Sequence, residues 1–404
     1  MQATRQSKLW AAAFLIAIAA TFFVSAPAQL SAQTRSIPNL EYYRGFAEYY
    51  RADYRDAGRI FSRASNNGLR AGQQRFLDSV CYMTMMGECH FQVGNFSQAI
   101  ELYEQALALY LDYVALDWQS RLQLPPAITE DRAAVQQARI TWGLPQRNFV
   151  IPQLPDTFSY RFGEVGGVER AIAQGGVARE AELRPVDVAE VMRCAAIALH
   201  RRRYIKGVTC KYDPFSTRLQ DELTKYRGGD GTLLGAWNGV LFAMAQASKG
   251  KYDSAQKRLT ASLQFNGAMD HPLTPIALLE LADLRRLAGN NAEAGNLALE
   301  ASFSGAIFNQ YDVVADAIRL GAQVHLIDQR SVYPPLEPVI AWAARENADL
   351  VEAVATIRLA DCFAEMSETG LCSEALAQFK RGFGRSGVSP VSYTHLTLPT
   401  TPYV

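Results

Sequence analysis

The feature that most constrains this chain is a spacing. Gly45 stands twelve residues before Ala57, and Gly87 stands twelve before Ala99. Around each alanine, large apolar residues recur three or four apart: Tyr54, Ala57, Phe61 and Ala64 in the first segment, Ala99, Tyr103 and Ala106 in the second. That period places them on one face of a helix. A small residue twelve positions upstream then lies on a preceding helix, where lack of side-chain bulk lets two antiparallel backbones approach. Weaker copies keep the same step. Gly250, Tyr252, Ala255, Leu259 and Leu263 form one; Ala282, Gly289, Ala294, Ala298 and Ala301 another; Gly370, Ala375 and Phe379 a last one. A hairpin cannot bury such a face alone, so neighbouring pairs must stack.

The segment Gly94-Asn95-Phe96-Ser97-Gln98-Ala99-Ile100-Glu101-Leu102-Tyr103-Glu104-Gln105-Ala106-Leu107 resembles the second half of a tetratricopeptide repeat, with Gly87 in the place of that family's first-helix glycine. The landmark alanines at 57, 99, 255, 294 and 375 are separated by intervals that suggest a period near 40, longer than the family's roughly 34, with one degenerate repeat between 294 and 375. The resemblance covers about half of the chain. It implies an all-α, tetratricopeptide-like solenoid of antiparallel helix pairs, and a concave groove lined by the first helix of each pair. By position, that groove takes Tyr42, Phe46, Tyr49 and Tyr50 from the first repeat, Thr84, Glu88, Phe91 and Gln92 from the second, and Asp283 and Arg286 from the later array. Exposed aromatics beside polar groups suit capture of a peptide or helix.

The ends differ from the middle. Arg5 and Lys8 precede an apolar run, Leu9 to Val24, and Ala26-Pro27-Ala28 follows. A basic start, a short apolar core and small residues describe a signal peptide over 1–28, the run being shorter than the roughly 20 residues of a spanning helix. A periplasmic or secreted location follows; the alternative is an uncleaved N-terminal membrane anchor. After Gly387 the Thr/Pro-rich residues 388–404 resemble a translated sequencing adapter, so the natural protein is expected to continue past that point. Residues 38–121 are expected to form an N-terminal helical array and 186–387 a second, with Asp187 to Ile205 one helix. Between them, 122–185 is an irregular Pro/Gly-rich insertion, with apolar stretches at Phe149-Val150-Ile151 and Phe158-Ser159-Tyr160.

Charge narrows the partners. Without Arg5 and Lys8 the chain carries 38 basic against 40 acidic residues, so net charge gives nucleic acid or anionic lipid no claim as main partner. The most charged local feature, His200-Arg201-Arg202-Arg203-Tyr204-Ile205-Lys206, is expected to be the solvated last turn of a helix, where cations complement the dipole. Six cysteines, Cys81, Cys89, Cys194, Cys210, Cys362 and Cys372, include no C-x-x-C and are expected as buried free thiols; Cys362 with Cys372 is the best candidate for a disulfide.

No G-x-S-x-G, H-E-x-x-H, Walker loop or G-x-G-x-x-G occurs, and the histidines are scattered. The expectation is therefore a non-catalytic protein-interaction scaffold of the bacterial cell envelope, with no cofactor or metal. One alternative is the N-terminal docking or regulatory region of a larger exported enzyme. Another is an α/α-toroid enzyme acting on glycans, which would need two carboxylates about 5–10 Å apart; Asp230, Asp253 and Asp283 are the residues available.

Overall fold

The computed structural model describes residues 37–71, 74–121, 139–143, 149–150, 158–162, 182–225, 232–265 and 268–383. Residues 1–28, expected as a signal peptide, the tail 388–404 and most of the expected 122–185 insertion lie outside the described residues. Among the described residues the fold is all-α, with 14 α-helices. These are α1 (Leu40–Tyr50), α2 (Tyr54–Asn66), α3 (Ser79–Gln92), α4 (Phe96–Ala115), α5 (Val188–Lys206), α6 (Pro214–Lys225), α7 (Leu233–Ser248), α8 (Tyr252–Leu263), α9 (Thr274–Leu287), α10 (Asn291–Ile307), α11 (Tyr311–Gln329), α12 (Leu336–Glu346), α13 (Asp349–Glu365) and α14 (Thr369–Phe383). Six short strands accompany them. β1 (Arg70–Ala71) pairs antiparallel with β2 (Gln74–Arg75), β3 (Phe149–Val150) parallel with β6 (Met269–Asp270), and β4 (Phe158–Phe162) antiparallel with β5 (Glu182–Val186).

Helices adjacent in sequence pack on one another through one repeated turn. The residue two before α2, α4, α8, α10, α11, α13 and α14 has positive φ: Ala52, Gly94, Gly250, Gly289, Asn309, Asn347 and Ser367. The next residue then repeats one conformation, from φ −86°, ψ 73° at Asp53 to φ −94°, ψ 64° at Ala348. Where that residue is Asp53, Asn95 or Asn290, its side chain accepts the N–H three positions on and caps the helix. Glycine takes the left-handed position at 94, 250 and 289, as the turn requires; asparagine tolerates it at 309 and 347. Gly370 is not such a turn glycine. It lies inside α14, and Ser367 holds the left-handed position instead.

The landmark alanines sit in the core: Ala57, Ala99, Ala255 and Ala294 are fully buried and Ala375 nearly so. The upstream glycines face a different partner from the one expected. A Cβ on Gly45 would lie 2.5 Å from the Phe61 ring, and one on Gly87 2.6 Å from the Tyr103 ring. The close approach is thus glycine against the aromatic one turn after the alanine, because the ring, rather than the methyl, fills the space between the helices. The interval between Ala294 and Ala375 holds α11, α12 and α13, with the repeated turn at Asn309 and Asn347.

The helices enclose α5. It packs on α3 and α4 on one side and on α7 and α9 on the other, while α13 reaches α1. The ring of Tyr50 on α1 lies 4.7 Å from that of Tyr311 on α11, and its hydroxyl donates to the Asn309 carbonyl at 3.0 Å. From the insertion, Trp142 is buried, stacks edge-on against Trp342 and donates its Nε1–H to Ser302 at 3.0 Å. Cys81, Cys89, Cys194, Cys210 and Cys362 are buried and free; Cys372, partly exposed, is unpaired with Cys362.

Two substitutions test this packing. Gly87→Ala should lower unfolding stability by about 1–3 kcal/mol, because the Tyr103 ring has no room to give. Ser367→Gly, at an exposed left-handed position, should raise it by about 0.5–1 kcal/mol. Denaturant unfolding of both variants measures the two shifts.

Candidate functional site

The helix α5 begins where Asp187 caps it, its side chain accepting from Glu190 N at 3.0 Å. Apart from Glu190 and Arg193, residues 188–199 are apolar or small, with Val188, Val191, Met192, Cys194, Ala195, Ala196, Ile197, Ala198 and Leu199 all buried. A helix apolar all round belongs in the middle of a protein. Every residue from Val191 to Arg203 is buried. The expected solvated basic turn is therefore corrected: His200, Arg201, Arg202 and Arg203 lie inside the molecule, because each meets a carboxylate on a surrounding helix.

The pairing is systematic. Arg193 binds Glu190 within α5 at 2.7 Å and Asp312 of α11 at 3.2 Å. Arg201 holds Glu88 of α3 at 2.9 Å and Asp316 of α11 at 2.6 Å. Arg202 contacts Glu104 of α4 at 2.9 Å and Asp213 at 2.7 Å, while Arg203 contacts Glu280 and Asp283 of α9 at 2.8 and 2.7 Å. His200 Nδ1 lies 2.6 Å from Glu280 Oε2. Glu88 also accepts from the Tyr103 hydroxyl at 2.5 Å and the Tyr49 hydroxyl at 3.2 Å. A buried charge tolerates burial only when paired and hydrogen-bonded in this way.

The electrostatics follow from the pairing. Burial pushes the carboxyls of Glu190, Glu280, Asp283 and Asp316 up, but the facing arginines overcome it. Arg193 acts on Glu190, Arg203 on Glu280, Arg203 with Arg286 on Asp283, and Arg201 with Arg319 on Asp316. All four are held below the usual carboxylate range. At Asp312 burial wins, and its carboxyl is raised despite Arg193, with Glu88 adding to the rise.

The ten residues placed on a groove fall in this region, and most of them are covered. Tyr42 is buried and donates its hydroxyl to Glu190, with Cys194 Sγ 3.3 Å away. Thr84 donates to the Cys194 carbonyl at 3.3 Å, and the Phe91 ring lies 4.3 Å beneath the Arg201 guanidinium. Glu88 pairs with Arg201, and Gln92 and Tyr49 join it through their mutual hydrogen bond. Phe46, half-buried, lies 5.5 Å from the Arg193 guanidinium, and Tyr50 turns to Asn309 and Tyr311. Asp283 bridges Arg203 and Arg286. Instead of exposed aromatics in an open groove, the chain presents a face already occupied by its own α5. Of the three carboxylates considered for a glycan enzyme, Asp283 is ion-paired, Asp253 lies exposed at the start of α8, and Asp230 lies outside the described residues.

Spacing could not supply Glu280, Asp312 and Asp316, because they lie on helices far from α5 in sequence, whereas Glu190 and Arg193 are an i,i+3 pair on α5 itself. The signal that could have found the distant partners is the apolar or small character of α5 around its charged residues, which makes its arginines buried and so demands acidic partners. Among the described residues no group of three or more His, Cys, Asp and Glu side chains is arranged to hold a metal ion, and no helix is long and apolar enough to cross a membrane. No protein-family model matches the chain, and no curated protein matches it.

Arg201→Met should cost about 3–5 kcal/mol, since it strands Glu88 and Asp316 in the interior. Asp316→Asn should cost less in the Arg201→Met background than alone, a coupling of about 0.5–3 kcal/mol readable from a double-mutant cycle of urea unfolding. The four depressed carboxyls contribute stability that is present above their unfolded values, about 4, and is lost as pH falls through their folded values. The unfolding midpoint should not fall between neutrality and about pH 5, where protonation of the raised Asp312 favours the fold, and should fall steeply below about pH 4.

Proposed function

We propose that this protein is a non-catalytic interaction scaffold of a bacterial cell envelope, built as a tetratricopeptide-like solenoid whose inner face grips helical segments. The observation that carries this reading is α5 itself. Its thirteen buried residues from Val191 to Arg203 lie against α3, α4, α7 and α9, and its arginines are read by carboxylates on four surrounding helices. An inner face that holds a helix through paired arginines has the chemistry for helix recognition. The repeated left-handed turn before seven helices supports the stacked-pair architecture, since one hairpin type used throughout generates a regular array. The partner is another protein or peptide. With α5 in place, it meets the outer helical surface or the half-buried aromatics Phe46 and Tyr50 rather than the covered residues.

The test is site-specific photo-cross-linking in the cell of origin, with the reactive residue placed in turn at the exposed positions Tyr43, Tyr252 and Ile327. The scaffold reading expects one polypeptide to be captured repeatedly from one side of the molecule and not from the others. Absence of any protein adduct at all three positions contradicts it.

A further inference from the structure

Immediately after α5 the chain leaves the core. Gly207, with φ 53° and ψ −133°, reverses its direction, and Gly207–Tyr212 forms a 3-10 turn at the surface. This turn carries Val208 and Tyr212, each 77% exposed, the most exposed large apolar side chains among the described residues. They are not on a loose loop. On the underside, Cys210 is buried, with Arg202 Nη1 3.2 Å from its Sγ. Asp213, just beyond, is fixed by Arg202 and Lys206. From the neighbouring α7, Lys249 Nζ donates to the Lys211 carbonyl at 2.7 Å and to Thr217 at 2.8 Å. A Cβ at Gly250 would stand 3.6 Å from Lys211 Cδ, so the α7–α8 turn abuts the 3-10 turn directly. The fold therefore holds two apolar side chains out in water on a rigid support.

The charge around them is mainly basic. Lys211 and Lys251 are exposed, and the Lys211 ammonium lies 4.7 Å from the Tyr212 ring centroid. Lys249 is half-buried, its ammonium engaged by the Lys211 carbonyl and Thr217, and Tyr252 on α8 is 40% exposed. The nearest carboxylate, Asp213, is neutralised by Arg202 and Lys206; Asp253 on α8 is the one exposed acidic residue of these two turns. The turn holds Val208 and Tyr212 projecting into solvent. It suits a soft surface that lets apolar side chains enter while cations stay among anions, which is the arrangement of an interfacial anchor. Tyrosine is well placed there, with an apolar ring and a polar end.

We propose that the Gly207–Tyr212 turn docks the protein on an anionic lipid surface, with Val208 and Tyr212 entering the headgroup boundary and the exposed Lys211 and Lys251 facing lipid phosphates. The contact is local, so it is compatible with a near-neutral whole chain. It is also independent of the scaffold reading, because it uses neither the inner face nor a protein partner.

The test is co-sedimentation of the full chain with vesicles of phosphatidylglycerol and phosphatidylcholine, and with phosphatidylcholine alone. The parent is expected to bind the anionic vesicles in a salt-sensitive way and the neutral ones weakly. Lys211→Ala should lower the partition coefficient about fivefold, the worth of one cation near such a surface. The double variant V208D/Y212D should abolish sedimentation while retaining the parent's circular dichroism and melting temperature, since both side chains are in water in the folded protein. Failure of the parent to bind anionic vesicles overturns the proposal. So does undiminished binding by V208D/Y212D, which would assign the attachment to another part of the chain. Capture of an acidic protein through this turn without vesicle binding overturns it as well.

Discussion

Arg201 reaches from a buried stretch of α5 to two carboxylates on separate helices, Glu88 of α3 and Asp316 of α11. The rest of the structure is arranged so that this is possible. An isolated guanidinium would not survive in such a place; it must be met by anions fixed in advance. Glu88 is fixed by the hydroxyls of Tyr49 and Tyr103. Tyr103 in turn fills the gap left by Gly87. The glycine that lets α3 and α4 approach is therefore the same residue that positions the tyrosine that positions the glutamate. Hairpin packing and central-helix recognition are one construction.

The ion pairs do more to specify than to stabilise. Burying charges costs much of what their attraction returns, so such pairs are weak evidence of added stability. What they impose is register. Arg193 and Arg201 on α5 meet Asp312 and Asp316 on α11, although the two helices are joined through side chains. Arg203 meets Glu280 and Asp283 on α9. A slip of α5 by one turn would separate several of these charges at once. The small residues Cys194, Ala195, Ala196 and Ala198 leave α5 narrow enough to be surrounded, and their shape alone would tolerate slippage. Charge supplies the discrimination that shape lacks.

Much of the wall was legible in the sequence and its contents were not. The helix pairs and the buried alanines follow from local periodicity, which acts over a dozen residues. Helix α5 itself was legible to within one residue at either end. The left-handed residues Ala52, Asn309, Asn347 and Ser367 were missed because they are not glycine, and their turns are recognised only from backbone geometry. The burial of Arg201, Arg202 and Arg203 was missed for a different reason. A local run of arginines reads as a solvated helix end until acidic partners are found, and those partners lie far away in sequence, as Glu88 does at 113 positions from Arg201. Residues chosen as an open groove, such as Tyr42, Thr84 and Glu88, are buried against α5 instead, because spacing carries no information about which segment of the same chain covers them.

The account rests on α5 being held as an integral part of the interior. Native-state hydrogen exchange of its backbone amides tests that most directly. If the charge network ties the helix to the helices around it, the amides from Val191 to Arg203 should exchange only through global unfolding, with the same free energy as the slowest amides of α3 and α9. Exchange of that segment through a separate, lower-energy opening, while the surrounding helices stay protected, would contradict the account and make α5 a detachable ligand of the face it occupies.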